Sequence, residues 1–152
     1  MKIEILSILP ASREATWALV MDIPKAAACI PGITEVTPDG EDRYQATLRA
    51  RVGPMGMNLS GTITVLSQDA DAGEAHFLVE ANDRRVGGGV KTNMSMKVIA
   101  KSADETGLEI MADTTFMGRL AELGQPLIRR KARNTVEDFS KNLSKLLAST
   151  PE

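Results

Sequence analysis

Between residues 42 and 53 the chain alternates strictly. Tyr44, Ala46, Leu48, Ala50 and Val52 fall on one side, and Gln45, Thr47, Arg49 and Arg51 on the other. The same period of two returns over 57–65, 75–81, 90–100 and 106–116. That period marks strands with one buried face. The buried faces are apolar but undersized. Ala46, Ala50, Gly61, Ala75 and Ala81 lie on them, as do Thr92, Ala100, Thr106, Ala112 and Thr114. With only three Phe, one Trp and one Tyr in the chain, such a sheet leaves its interior unfilled. The pattern predicts a cavity, and so a binding protein.

The remaining segments complete the architecture. Lys2–Leu9 reads as a strand ended by Pro10. Ser12 is a good N-cap for a helix running to Met21, with Trp17, Leu19 and Met21 available to bury. Asp22-Ile23-Pro24 stops that helix and starts a short second one over 25–30, since proline is preorganised for a first helical turn. A strand over 33–37 follows, then the Pro38-Asp39-Gly40 turn. The five alternating segments are spaced for antiparallel hairpins in a meander. From Leu120 to Leu147 the apolar residues recur at three and four, which is one long amphipathic helix or two in series. Gly124-Gln125-Pro126 kinks that helix, or restarts it with Pro126 in its first turn. Strands and helices segregate along the chain. The fold class is therefore α+β: a curved antiparallel sheet of about seven strands wrapped around a long C-terminal helix, in one domain over 1–152.

Composition narrows the function. Charged residues make up 25% and hydrophobic ones 43%, the balance of an ordinary globule. A formal net charge of −2 argues against nucleic-acid binding, which needs a strongly basic face. One Cys and one His cannot close a zinc site, so no metal and no covalently held cofactor are expected. No apolar run reaches the ~20 residues of a spanning helix, and the N-terminus lacks a signal-peptide pattern. The expected location is the cytoplasm.

Three local motifs carry a resemblance. Ala28-Cys29-Ile30-Pro31-Gly32 ends the second helix, Val52-Gly53-Pro54 joins two strands, and Gly118-Arg119-Leu120-Ala121-Glu122-Leu123-Gly124 opens the last helix. In this order, and with this succession of elements, the chain resembles the carbon monoxide dehydrogenase G-subunit family. That family lies within the START-related, polyketide-cyclase-like superfamily (SRPBCC) of helix-grip folds. The resemblance implies binding of a hydrophobic small molecule, an isoprenoid quinone or another lipid. It also implies an accessory role beside a molybdenum hydroxylase of the carbon monoxide dehydrogenase type, with no chemistry of its own.

The residues themselves agree on the absence of chemistry. None of the five alternating inward faces carries Asp, Glu, His, Lys, Arg or Cys, and acid–base catalysis needs a titratable group within reach. Tyr44 and a few Thr hydroxyls are the only polar groups there, and no catalytic residue is assigned. Trp17, Ile30, Met57, Phe77, Met94 and Ile110 are the expected pocket lining, joined by Phe116, Leu120 and Leu123. Tyr44 or Thr92 is the expected hydrogen-bond donor to a quinone carbonyl. Residues 118–124 read either as a simple bend or as a hinged flap. Arg129, Arg130, Lys131 and Arg133 are either a solvated face or a reversible contact with the inner membrane surface or a partner. Two other functions stay open: an assembly or recruitment adaptor without ligand transport, and a cyclase-like enzyme of the same fold.

Overall fold

The structure, a computed structural model, describes residues 1–149. Strand β1 (Lys2–Leu9) leads into helices α1 (Arg13–Met21) and α2 (Ile23–Ala27). Six strands follow: β2 (Ile33–Pro38), β3 (Arg43–Val52), β4 (Met55–Asp69), β5 (Glu74–Asp83), β6 (Gly88–Ala100) and β7 (Thr106–Gly118). A single 3₁₀ segment (Arg119–Glu122) precedes the long helix α3 (Gln125–Ser149). The expected order holds throughout. Strands β4 to β7 run beyond their expected limits, and α2 begins at Ile23 and ends at Ala27 instead of spanning 25–30.

Local chemistry explains the boundaries. The Ser12 side chain accepts a hydrogen bond from the Ala15 amide, capping α1. Asp22 does the same for α2 through the Lys25 amide, with Pro24 in the first turn. The final helix is not kinked but restarted. The 3₁₀ turn closes before Gly124, whose carbonyl accepts from the Leu127 and Ile128 amides, and Pro126 sits in the first turn of α3.

All strand pairs are antiparallel, in the order β1-β7-β6-β5-β4-β3-β2. The meander from β2 to β7 is closed at its far edge by β1. The concave side carries two apolar clusters. The larger holds Leu9, Val20, Phe77, Leu108, Ile110 and Leu143 between the central strands, the two short helices and the C-terminal half of α3. The smaller, built on Val52, Met57, Leu59 and Leu120, lies under the 3₁₀ segment. Two bonds fix the roof. Thr106 Oγ1 donates to the Ala11 carbonyl at 2.8 Å, and Asn142 Nδ2 donates to the Cys29 carbonyl at 2.8 Å. The apolar stripe of α3 buries Ile128, Phe139, Leu143 and Leu147, whereas Leu146, placed on the same stripe by its spacing, is exposed.

One glycine is required by contact alone. A Cβ on Gly61 would run into the Glu80 carbonyl of β5 and lie 2.6 Å from the Ala81 Cα. Gly61→Ala is expected to destabilise the fold by about 2 kcal/mol, because backbone and not a flexible side chain must give way. Gly56→Ala, in the same strand, meets only ordinary contact and serves as the control. Denaturant unfolding of the two variants checks this.

Candidate functional site

Side-chain size across the sheet decides where the interior is empty. Ala46 of β3 pairs with Gly61 of β4, Gly61 with Ala81 of β5, and Ala81 with Val90 of β6. Three neighbouring strands therefore present Ala, Gly and Ala on one cross-strand row, which Val90 continues onto β6. On one side of the row lie Tyr44, Ile63, Val79 and Thr92, and on the other lie Leu48 and Leu59. A cavity of about 130 Å³ sits over the row, at the seam between the two clusters. Val20, Ile23, Ala26, Ala27 and Phe139 close it from the helical side. Thr62 and Glu80 border it where Gly61 bares the strands, but their side chains point to the opposite face by alternation. The lining is otherwise apolar. The chamber is close to the size of an engineered apolar cavity that binds benzene.

Three of the expected lining residues, Ile30, Phe77 and Met94, border this cavity. The others lie elsewhere on the same concave side. Met57, Phe116, Leu120 and Leu123 belong to the second cluster, toward the 3₁₀ segment. Ile110 is fully buried in the larger cluster, and Trp17 and Tyr44 pack half-buried against it. The Thr92 and Thr114 hydroxyls hydrogen-bond each other at 3.0 Å across β6 and β7. Neither Tyr44 nor Thr92 lines the chamber. Alternation states which face a residue occupies, not how far along the strand the space opens. The helical lining of α1 and α2 was missed, although Ala26 and Ala27 are small in the way the strand residues are.

Titratable groups stand apart from the chamber. His76 is exposed on the convex face. Cys29 is buried, its Sγ donates to the Lys25 carbonyl at 3.6 Å, and desolvation pushes its thiol above the ordinary value. Among the described residues no group of three or more His, Cys, Asp and Glu is placed to hold a metal ion. None of the described helices is long and apolar enough to cross a membrane.

Asp83 is the exception among the carboxylates, because it is buried. Its Oδ2 accepts from the Asn58 amide at 2.8 Å, and its Oδ1 accepts from the Arg85 and Val86 amides at 2.9 and 3.3 Å. It thereby pins β4 beside the β3–β4 hairpin to the β5–β6 turn. The 3₁₀ segment rests on that turn: the Arg119 amide donates to the Gly87 carbonyl at 3.0 Å, and Leu120 packs against Gly88. Asp83 is thus a structural pin.

Arg129 reaches the Lys2 carbonyl of β1 at 3.4 Å, and Arg133 pairs with Glu137 at 3.3 Å. These two, four residues apart, share one face of α3, and Lys131 lies across the helix, bordering a groove beside β3.

A curved antiparallel sheet gripping a long C-terminal helix over an apolar chamber defines the START-related (SRPBCC) helix-grip class. The chain belongs to the CoxG family, that of the G subunit of carbon monoxide dehydrogenase, whose model matches residues 8–148. No curated protein matches it closely. Among solved structures it is similar to a conserved protein from Geobacillus kaustophilus, with 22% identity, TM-score 0.88, and coverage of 97% of this chain and 95% of that one. A START superfamily protein from Mycobacterium smegmatis aligns with 14% identity and TM-score 0.71, covering 97% of each chain. The Zhui aromatase/cyclase from a Streptomyces species aligns with 12% identity and TM-score 0.70, covering 97% of this chain and 93% of that one. At these identities the likeness is one of fold.

Asp83 yields a pH prediction. The Asn58 amide bond chiefly, with the Val86 and Arg85 amides and the Arg85 charge, holds its carboxyl below the usual value against the opposing effect of desolvation. A lowered folded pKa gives stability that is present above the unfolded value of about 3.9 and is lost as pH falls through the folded value. Asp83→Asn should melt below wild type at neutral pH. The gap should close only below about pH 4. Melting curves from pH 7 to pH 2.5 check it.

Proposed function

We propose that this protein is a non-catalytic carrier of a hydrophobic small molecule, a lipid or an isoprenoid quinone, accessory to a molybdenum hydroxylase of the carbon monoxide dehydrogenase type. Family membership supports the accessory role. The observation that carries the binding role is the apolar chamber over the row Ala46–Gly61–Ala81–Val90. An unfilled chamber of about 130 Å³ costs a packed core about 3 kcal/mol, at roughly 24 cal/mol per Å³. A ligand that fills it recovers much of that. The apolar lining offers no acid or base to a substrate, which supports carriage over turnover. Extraction of the purified protein followed by mass spectrometry tests the reading. A quinone or lipid present at stoichiometric level is the expected result.

A benzene-sized chamber takes only part of such a molecule. Leu48, Leu59, Ala81 and Val90 belong both to its lining and to the second cluster, which also holds Leu120 of the 3₁₀ segment. On this reading residues 118–124 are the flap whose displacement lengthens the chamber. Hydrogen exchange across 118–124 should change when a hydrophobic ligand is added, and identical protection with and without it would remove the flap.

A second reading rests on the convex side. Leu6 and Ile8 of β1, Leu66 of β4 and Met111 of β7 are each more than half exposed. An exposed apolar set of this kind suits an adaptor that docks on an enzyme partner. The two readings separate on one substitution. Ala81→Leu fills the chamber from its floor. The carrier should lose its co-purifying molecule while keeping or raising its Tm, and an adaptor should still retain its partner in a pull-down.

A further inference from the structure

A hydrogen-bond inventory of the chamber shows which end of a ligand it accepts. Its strand walls are antiparallel ladders, in which Ala46 pairs with Gly61, Gly61 with Ala81 and Ala81 with Val90. The backbone groups of those walls bond to neighbouring strands. On the helical wall the Ala26 carbonyl accepts from the Cys29 amide at 3.0 Å, and that of Ala27 from the Ile30 amide at 2.9 Å. The Ile30 carbonyl accepts from the Ile33 amide at 3.2 Å. Thr62 and Glu80 border the space, but their side chains lie on the opposite face of the sheet. Met94 and Met96 offer sulfur, which is a weak acceptor and no donor. Tyr44 and Thr92 are not among the lining residues. No side chain directed into the chamber can therefore donate a hydrogen bond.

A lipid or an isoprenoid quinone has two unlike ends. One is polar: a headgroup, or a ring with two carbonyls that accept hydrogen bonds from water. The other is a hydrocarbon terminus. A carbonyl or hydroxyl moved from water to a place without partners weakens binding by roughly tenfold or more. A hydrocarbon terminus moved there only gains. Volume alone does not choose between the ends, because an apolar cavity of similar size accepts benzene, a six-membered ring. Polarity does choose. The way out of the chamber is also apolar: Leu48, Leu59, Ala81 and Val90 belong to its lining and to the second cluster, beside Leu120 of the 3₁₀ segment.

We propose that the chamber takes its cargo tail first. The hydrocarbon terminus fills the space over Ala46, Gly61 and Ala81, and the polar head stays outside, on the side of the 3₁₀ segment. The proposal rests on the carrier reading and deepens it by fixing the orientation of the ligand. A quinone held in this way keeps its ring beyond the chamber, within reach of a partner enzyme while the tail is still bound. The chamber then selects for a chain that ends in hydrocarbon and is indifferent to the identity of the head.

Calorimetric titration with two isomeric decanediols tests the orientation, both kept below any micellar concentration. The vicinal isomer carries both hydroxyls at one end and keeps a hydrocarbon terminus. The α,ω isomer carries one hydroxyl at each end. The vicinal diol should bind at least roughly tenfold more tightly. Ala81→Leu, which fills the chamber, should abolish that advantage, and Ala46→Leu is the second filler should the first fail to fold. A ubiquinone-type ring bearing a decyl or an ω-hydroxydecyl chain makes the second pair, read by quenching of Trp17, the only tryptophan. The terminal hydroxyl should weaken binding by a similar factor, whereas a ring-first quinone would leave that hydroxyl in water and show no difference. Equal affinities within either pair overturn the tail-first orientation and leave the carrier standing. An advantage that survives filling of the chamber at unchanged affinity places the binding elsewhere and also overturns it. No binding of any of these probes removes the carrier reading, and the orientation with it.

Discussion

Strand spacing is the constraint on which this molecule turns. Backbone hydrogen bonds hold neighbouring strands about 4.8 Å apart whatever their side chains. A row of small residues across three strands therefore cannot draw the sheet together to fill the space it leaves. Ala46, Gly61 and Ala81 make such a row, with Tyr44, Ile63 and Val79 on one side of it and Leu48 and Leu59 on the other. The core divides along it into two clusters, and the missing volume stays at the seam. The helices do not sink into the gap, because their own ends are tied. Ala11 is held to Thr106, and Cys29 to Asn142. Rigid walls and a fixed roof give the chamber its persistence.

Polar groups act at the margin of this apolar design. Asp83 stands at the end of β5 on the inward parity, where a carboxylate would be costly without partners. Three amides satisfy it, and in doing so they lock together the backbone on which the 3₁₀ segment rests. The same corner of the molecule gathers Arg49, Arg51 and Arg85. Lys131 of α3, exposed to solvent, borders the groove they line.

Much of the fold was legible because its signals are periodic. Alternation by two, a proline at a helix start and a leucine repeat at three and four each have one geometric reading. Ser12 and Pro126 behave as their side chains dictate. The chamber was legible in kind: Ala46, Gly61 and Ala81 stand out as undersized before any coordinates are known. Its position was not. Which small residues share a cross-strand row depends on register, and register depends on hairpin lengths and on the bulge between Val65 and Ser67. Met57, Phe116 and Leu120 lie in the second cluster, away from the chamber lining, for that reason. The Thr92–Thr114 pair joins residues distant in sequence and adjacent only across the sheet.

Chamber size limits how a carrier of this shape can work. Filling about 130 Å³ secures one end of a lipid and no more. Any further length must displace apolar contacts that already exist, chiefly those of Leu120, Leu123 and Leu127 under the 3₁₀ segment. Each added methylene gains roughly 0.8 kcal/mol by leaving water, but each displaced leucine loses a comparable amount if it is driven into solvent. Net affinity then grows slowly with chain length unless the displaced side chains find new cover. On the carrier reading, holding and releasing a long chain would then differ by little free energy, as hand-over of a cargo requires.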